Sequence, residues 1–144
     1  MATVSSPSAS ALRFIHAARL AHLATAGLNS QPHVMPICFV FDGKHFYSPI
    51  DEKPKRTGPA KLKRVRNIQA NPQAALVIDR YSEDWTHLAY ILIRGMAKIL
   101  HRGAAHAAAV RRLRRKYPQY RQMAIHTRPI IQIRPVRWIF WGKP

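Results

Sequence analysis

Pro32-His-Val-Met-Pro-Ile-Cys-Phe-Val-Phe-Asp-Gly-Lys-His-Phe-Tyr-Ser-Pro-Ile50 is the stretch on which the fold turns. Its first part, Pro32 to Phe41, is mostly apolar and rich in β formers. Asp42-Gly43 is a strong two-residue hairpin signal, which predicts Lys44 to Ile50 antiparallel to that first run. Upstream, Ala26-Gly-Leu-Asn-Ser30 is a turn cluster, and Leu20 to Thr25 can run as a strand. Before it, Leu12, Ile15, Ala18 and Arg19 follow helical spacing, and Met1 to Ser10 is a small, Ser-rich stretch expected to be a disordered tail. Residues 11–144 are then expected to form a single domain.

Downstream, Asp51 to Thr57 reads as a loop, and Gly58-Pro59 can open a helix whose buried stripe is Leu62, Val65 and Ile68. Asn71-Pro72 ends it. Gln73 to Arg80 is a short buried strand, Tyr81 to Trp85 a polar and aromatic loop, and Thr86 to Leu100 a long strand interrupted at Gly95, where a bulge or a bend at a barrel corner is expected. Ala104 to Tyr117 alternates Ala-rich packing with Arg and stops before Pro118, so it is a helix. Pro129 to Arg134 and Val136 to Trp141 are two further strands joined at Pro135. The pattern is mainly β with α, an α+β class, and six or seven mostly antiparallel strands favour a small closed barrel because closure removes exposed edges.

The chain has 144 residues, 24 Lys plus Arg, 6 Asp plus Glu, and a formal charge of +18. A domain of this size can bury a core without metal or disulfide. The lone Cys38 excludes an internal disulfide and a multi-cysteine zinc site. The longest apolar run, Leu88 to Ile93, is far too short to cross a bilayer, so no membrane association and a cytoplasmic setting are expected. A mitochondrial leader is the competing reading of the acid-free first 41 residues. The positive charge is concentrated in three acid-free stretches, Lys53 to Ile68, His101 to Arg121 and Gln122 to Pro144, a distribution suited to an anionic visitor.

Catalytic constellations are scarce. Paired-acid hydrolysis, a nucleophile elbow, a Walker loop, a dinucleotide fingerprint and a zincin helix are all without support. His16 and His22, and His101 and His106, lack the i, i+4 spacing of a helical metal pair, and no metal site is expected. Cys38, inside an apolar strand, reads as a small inert hydrophobe. One segment stands out: Lys53-Pro-Lys-Arg-Thr-Gly-Pro-Ala-Lys61 follows a strand and runs into a helix start, so cations, the Thr57 hydroxyl and free helix N–H groups can converge on a phosphate.

Six pieces in order, Leu23-Ala-Thr25, Gln31 to Phe39, Asp42-Gly43 through Tyr47-Ser-Pro-Ile50, Lys53-Pro-Lys-Arg56, Arg66-Asn-Ile68 and Asn71-Pro72, resemble the split-barrel flavin-binding superfamily that includes pyridoxamine phosphate oxidase. The Lys-Pro-Lys-Arg segment and the Glu83-Asp84-Trp85 loop are most similar to its branch of short oxidoreductases that use the deazaflavin coenzyme F420. The similarity covers about residues 12–141. It implies an antiparallel split β-barrel with flanking helices, a homodimer, and F420, or alternatively FMN, in a groove between subunits.

By position, the resemblance implies that Met35, Pro36, Ile37 and Cys38 lie along the ring system, with Ser48, Pro49 and Ile50 on the neighbouring strand. Lys53, Lys55, Arg56 and Thr57 would hold the phosphate with help from Lys61, and Tyr81 and Trp85 would approach from their loop. No catalytic side chain is implied, because the cofactor carries the hydride chemistry. The reaction would be hydride transfer to or from a small organic molecule. The Arg- and His-containing substrate signature of pyridoxamine phosphate oxidase itself is missing from Ile133 to Trp141, so vitamin B6 oxidation is not implied. A basic surface beside the groove suits the polyglutamate tail of F420 better than FMN, which needs fewer cations. The alternative class is a nucleic-acid-binding module using Arg111, Arg112, Arg114, Arg115 and Lys116, for which non-specific affinity alone is expected because no recognition motif accompanies the run.

Overall fold

The computed structural model describes residues 6–50 and 62–144. Helix α1 spans Ala9–Ala17 and strand β1 Ala21–Ala26, followed by β2 (Pro32–Ile37), β3 (Val40–Phe41) and β4 (Phe46–Pro49). Then come α2 (Lys63–Ala70), β5 (Gln73–Arg80), β6 (Ala89–Leu100), α3 (Ala104–Lys116) and β7 (Ile130–Gly142). Helix α1 begins inside the stretch expected to be a tail, because the Ser8 hydroxyl accepts the Ala11 N–H at 3.1 Å and caps it. The expected opening of α2 at Gly58-Pro59 lies outside the described residues. Val65 and Ile68 of its expected stripe are buried, and its Asn67 donates to Thr25 Oγ1 at 3.1 Å, tying α2 to β1.

Among the described residues the strands form one antiparallel seven-stranded sheet in the order β2-β1-β5-β6-β7-β4-β3. Its two edge strands, β2 and β3, are consecutive in the chain and separated only by Cys38-Phe39. The sheet must therefore curl until its edges nearly meet, and the split barrel follows from that connection. The long hairpin read from the sequence is shorter in the structure. Pro32–Ile37 pairs with β1, and only Val40–Phe41 pairs with Phe46–Tyr47.

The hairpin turn is also one residue later than Asp42-Gly43. Asp42 N–H donates to His45 O at 3.1 Å, with Gly43 (φ 98°) and Lys44 between them. The Asp42 carboxylate accepts the Lys44 and His45 N–H groups at 2.8 and 2.7 Å, and the side chain acts as an Asx brace. Burial raises that carboxyl's pKa, but these bonds outweigh it and hold it below the usual value.

Gly95 marks the expected bulge. The β6–β7 register shifts between Arg94 and Gly95, so that Arg94 pairs with Arg137 while Gly95 pairs with Pro135, leaving Val136 as the extra residue. Pro135 does not divide two strands as the sequence suggests, because at a bulge its missing N–H breaks no regular ladder bond and β7 continues through it. The N-terminal part of the expected strand 86–100 is instead a 3-10 turn, Trp85–His87, capped by Asp84.

One core fills the barrel, with Leu23, Phe39, Phe41, Phe46, Ile78, Ile91, Ile93 and Ile133 among its members. A second lies under α3, whose His106, Ala109, Val110 and Leu113 face inward at helical spacing against Val40, Tyr47 and Ile130. The split itself is pinned by a buried tyrosine. Tyr117 Oη accepts the Phe39 N–H at 3.1 Å, and its single proton serves either Arg19 O at 2.9 Å or Phe39 O at 3.1 Å. Burial pushes this hydroxyl up to about 12 from 10.0.

Tyr117→Phe strands the buried Phe39 N–H, and we expect it to cost about 1–3 kcal/mol in urea unfolding. A tyrosine whose folded pKa is raised contributes stability that is full below pH 10 and is lost as pH climbs through 12. The variant's stability should accordingly fall less than the wild type's across that interval, and parallel curves would refute the pinning role.

Candidate functional site

The outward face of the sheet is where chain and pattern disagree. Strand alternation sends Leu23, Leu76, Ile91 and Ile93 into the barrel and turns their neighbours out. The registers line those outward residues into transverse rows. One row runs Val34, Ala24, Ala75, Arg94, Arg137, and the next runs Pro36, His22, Val77, Leu92, Ile139. A face meant for water would be polar here, yet Val34 is 64% exposed and Trp141 49%. Trp141 stacks on Tyr90, its cross-strand partner, with ring centroids 5.6 Å apart.

Small side chains hollow this face into an open groove of about 830 Å³. Ala24, Ala26, Ala75 and Gly95 keep its floor low, and Arg94 and Arg137 close one end. These arginines stand directly opposite each other on antiparallel strands, a pairing of like charges that is unfavourable on its own. None of the described acidic residues lines the groove. A flat, largely apolar floor ending on two planar cationic forks can take a planar ring system bearing an anionic group. The residues present fit a flavin-type cofactor by that criterion. Among the described residues no three His, Cys, Asp or Glu side chains gather as a metal site would need.

The described residues among those singled out from the sequence lie on different faces of the fold. Met35 and Ile37 pair with inward-facing Leu23 and Ala21, whereas Pro36 pairs with His22 on the outer face. Half-buried Cys38 packs toward the core under α3. Alternation turns the side chains of Met35 and Ile37 to one face of β2 and that of Pro36 to the other, and Cys38 follows the end of the strand. Ser48, Pro49 and Ile50 are buried, and β4 pairs with β3 and β7, so it is not hydrogen-bonded to β2. Lys53, Lys55, Arg56, Thr57 and Lys61 lie outside the described residues. Tyr81 and Trp85 are 67% and 71% exposed on the β5–β6 connection, where the Tyr81 hydroxyl donates to the Glu83 carboxylate at 3.3 Å.

Sequence reasoning missed Arg94 and Arg137. Arg94 is the one arginine of β6 and Arg137 shares β7 with Arg134, but their apposition depends on the bulge at Gly95, which fixes Arg137 opposite Arg94.

The profile of the pyridoxamine 5'-phosphate oxidase family matches residues 8–142. No curated protein matches the sequence. Similar solved structures include a conserved hypothetical protein of Mycobacterium tuberculosis, with TM-score 0.77 and 20% identity over 99% of this chain and 89% of that one. The haem storage protein HutZ of Vibrio cholerae has TM-score 0.73 and 13% identity over 91% and 90%. An F420 reductase has TM-score 0.67 and 22% identity over 92% and 98%. At these identities the likeness is one of fold.

Proposed function

The chain belongs to the pyridoxamine 5'-phosphate oxidase family, and from that premise we propose that it is an oxidoreductase binding the deazaflavin coenzyme F420 in a groove shared by two subunits. The observation that carries this reading is the row Val34, Ala24, Ala75, Arg94, Arg137, an apolar floor that ends on two opposed cations. Bound there, the cofactor would give or take the hydride. The chain's residues do the remainder. Ala24 and Ala75 would seat the ring and Arg94 and Arg137 would neutralise its anionic part, while the phosphate is assigned by family resemblance to Lys53, Lys55, Arg56, Thr57 and Lys61, which lie outside the described residues. The strongly basic composition favours F420 over FMN, whose single phosphate needs fewer partners. The hydride acceptor or donor is a small organic molecule entering from the open side.

The groove is open because half of its wall belongs to a second copy. Val34, Tyr90 and Trp141 are exposed and Val77, Leu92 and Ile139 half-buried on an outer face that the described residues of one chain leave open, and a two-fold pairing of such faces is the commonest closed assembly. Tyr81 and Trp85 then reach the partner's groove. Light scattering at micromolar concentration should give a dimer, and Leu92→Glu, which sets a charge in the middle of that face, should give a monomer with cofactor affinity reduced at least about tenfold. A wild-type monomer that binds the cofactor normally would refute the shared groove.

Haem binding is a second reading. It is favoured by HutZ among the similar folds and by His22, which stands on the outer face one row from Ala24. Two arginines suit two carboxylates as well as one phosphate. Titration with oxidised F420, FMN and hemin separates the readings, since hemin bound through His22 gives a Soret shift that His22→Ala removes. The exposed Arg111, Arg112 and Arg115 give nucleic acid no more than a non-specific, salt-sensitive attraction.

A further inference from the structure

The excess cations of α3 are not all used by the fold. Basic residues in a last helical turn ordinarily complement the helix dipole and its free carbonyls. Here that work is done elsewhere. The Arg19 guanidinium donates to Lys116 O at 3.0 Å, and Arg121 donates to Arg114 O at 3.1 Å. Arg114 itself is spent on Tyr120 O and Met123 O, at 3.1 and 3.0 Å. Arg112 and Arg115 make no hydrogen bond or ion pair with any described residue.

They surround a hollow of about 230 Å³ between α3, α1 and the β3 edge, lined by His16, Val40, Phe41, Arg112, Arg115 and Lys116. The Lys116 ammonium does not extend into water as a surface lysine would. It lies 4.0 Å from the Phe39 ring centroid and 5.3 Å from that of Tyr117. Arg112, Arg115, Lys116 and an imidazole line this one hollow, and no described acidic residue lines it with them. Self-repulsion of this kind is relieved by an anion seated among them.

We propose that this hollow binds a small phosphate-bearing anion of the monoester type, through Arg112, Arg115 and Lys116 against the walls of Val40 and Phe41. Two arginine forks and an ammonium match the three oxygens and the double charge of a terminal phosphate better than the single charge of a diester. At about 230 Å³ the hollow is smaller than sites that enclose drug-sized ligands, which start near 300 Å³. A free phosphate or the phosphate end of a small metabolite fits it, and a flavin ring does not. The site shares no lining residue with the groove, so it stands whether or not the F420 reading does.

Burial and the neighbouring Arg19 hold the Lys116 ammonium down to about 8, with Cys38 opposing them. A phosphate beside it favours the charged form. Titrating full-length protein with inorganic phosphate should therefore move the Lys116 side-chain titration upward by about one pH unit. Backbone amide shifts of residues 112–117 should saturate at millimolar phosphate. Arg112→Gln and Arg115→Gln, both exposed substitutions, should each weaken that binding about tenfold, while Arg94→Gln leaves it unchanged.

Dimethyl phosphate distinguishes a monoester pocket from a surface that attracts nucleic-acid backbones, and should fail to saturate. The proposal is overturned if inorganic phosphate gives no saturable shift. It is equally overturned if the shift survives both arginine changes, or if dimethyl phosphate and duplex DNA reproduce it.

Discussion

Gly95→Ala should lower the stability of the protein by about 1–3 kcal/mol, the cost of forcing a methyl into a close backbone approach. A Cβ at Gly95 would lie 2.5 Å from the Arg134 carbonyl oxygen and 2.9 Å from Ile133 Cγ2. Neither neighbour can yield cheaply, because Ile133 is in the barrel core and Arg134 is ladder backbone. For a chain of this length the loss corresponds to a fall in Tm of about 2–4 °C per kcal/mol. The same change presses on the register that brings Arg137 opposite Arg94, so affinity for the cofactor should fall with stability. A Gly95→Ala protein that melts like wild type would show that the bulge is looser than this geometry.

Replacing Arg94 and Arg137 together by glutamine should separate binding from folding. Each guanidinium is expected to donate charge-assisted hydrogen bonds to the anionic part of the cofactor, worth about 1.5–3 kcal/mol apiece, so each single change should weaken binding about tenfold or more. The double change should weaken it further, though not additively, because the two groups share one ligand. Without ligand the sign reverses: removing two like charges from directly opposed strand positions should leave the protein as stable as wild type or slightly more stable. Thermal melts with and without cofactor read both effects. A double variant that binds normally would return these arginines to the solvated surface.

Much of the fold was legible because its signals are local. The helical spacing of Leu12 and Ile15, the stop of α3 before Pro118 and the bulge at Gly95 all depend on neighbours a few residues away, and the structure has each of them. The connection at Cys38-Phe39 was not legible. The run Pro32 to Phe41 reads as one strand, and only the tertiary fold shows that its two halves pair with opposite ends of the sheet. The row proposed as the groove was not legible for the same reason. Met35 to Cys38 were assigned to the ring by family resemblance, whereas strand alternation parts adjacent side chains and cross-strand register gathers distant ones. Ala24, Ala75, Arg94 and Arg137 form one row from four strands, and nothing in any single stretch announces it.

Equilibrium binding of oxidised F420, followed by its fluorescence and set against FMN on the same purified protein, tests the central claim most directly. The reading predicts a dissociation constant of about 1 µM or tighter for F420, on the order of −8 kcal/mol, with FMN at least about tenfold weaker. Stoichiometric FMN that co-purifies with the protein and that F420 fails to displace would contradict it.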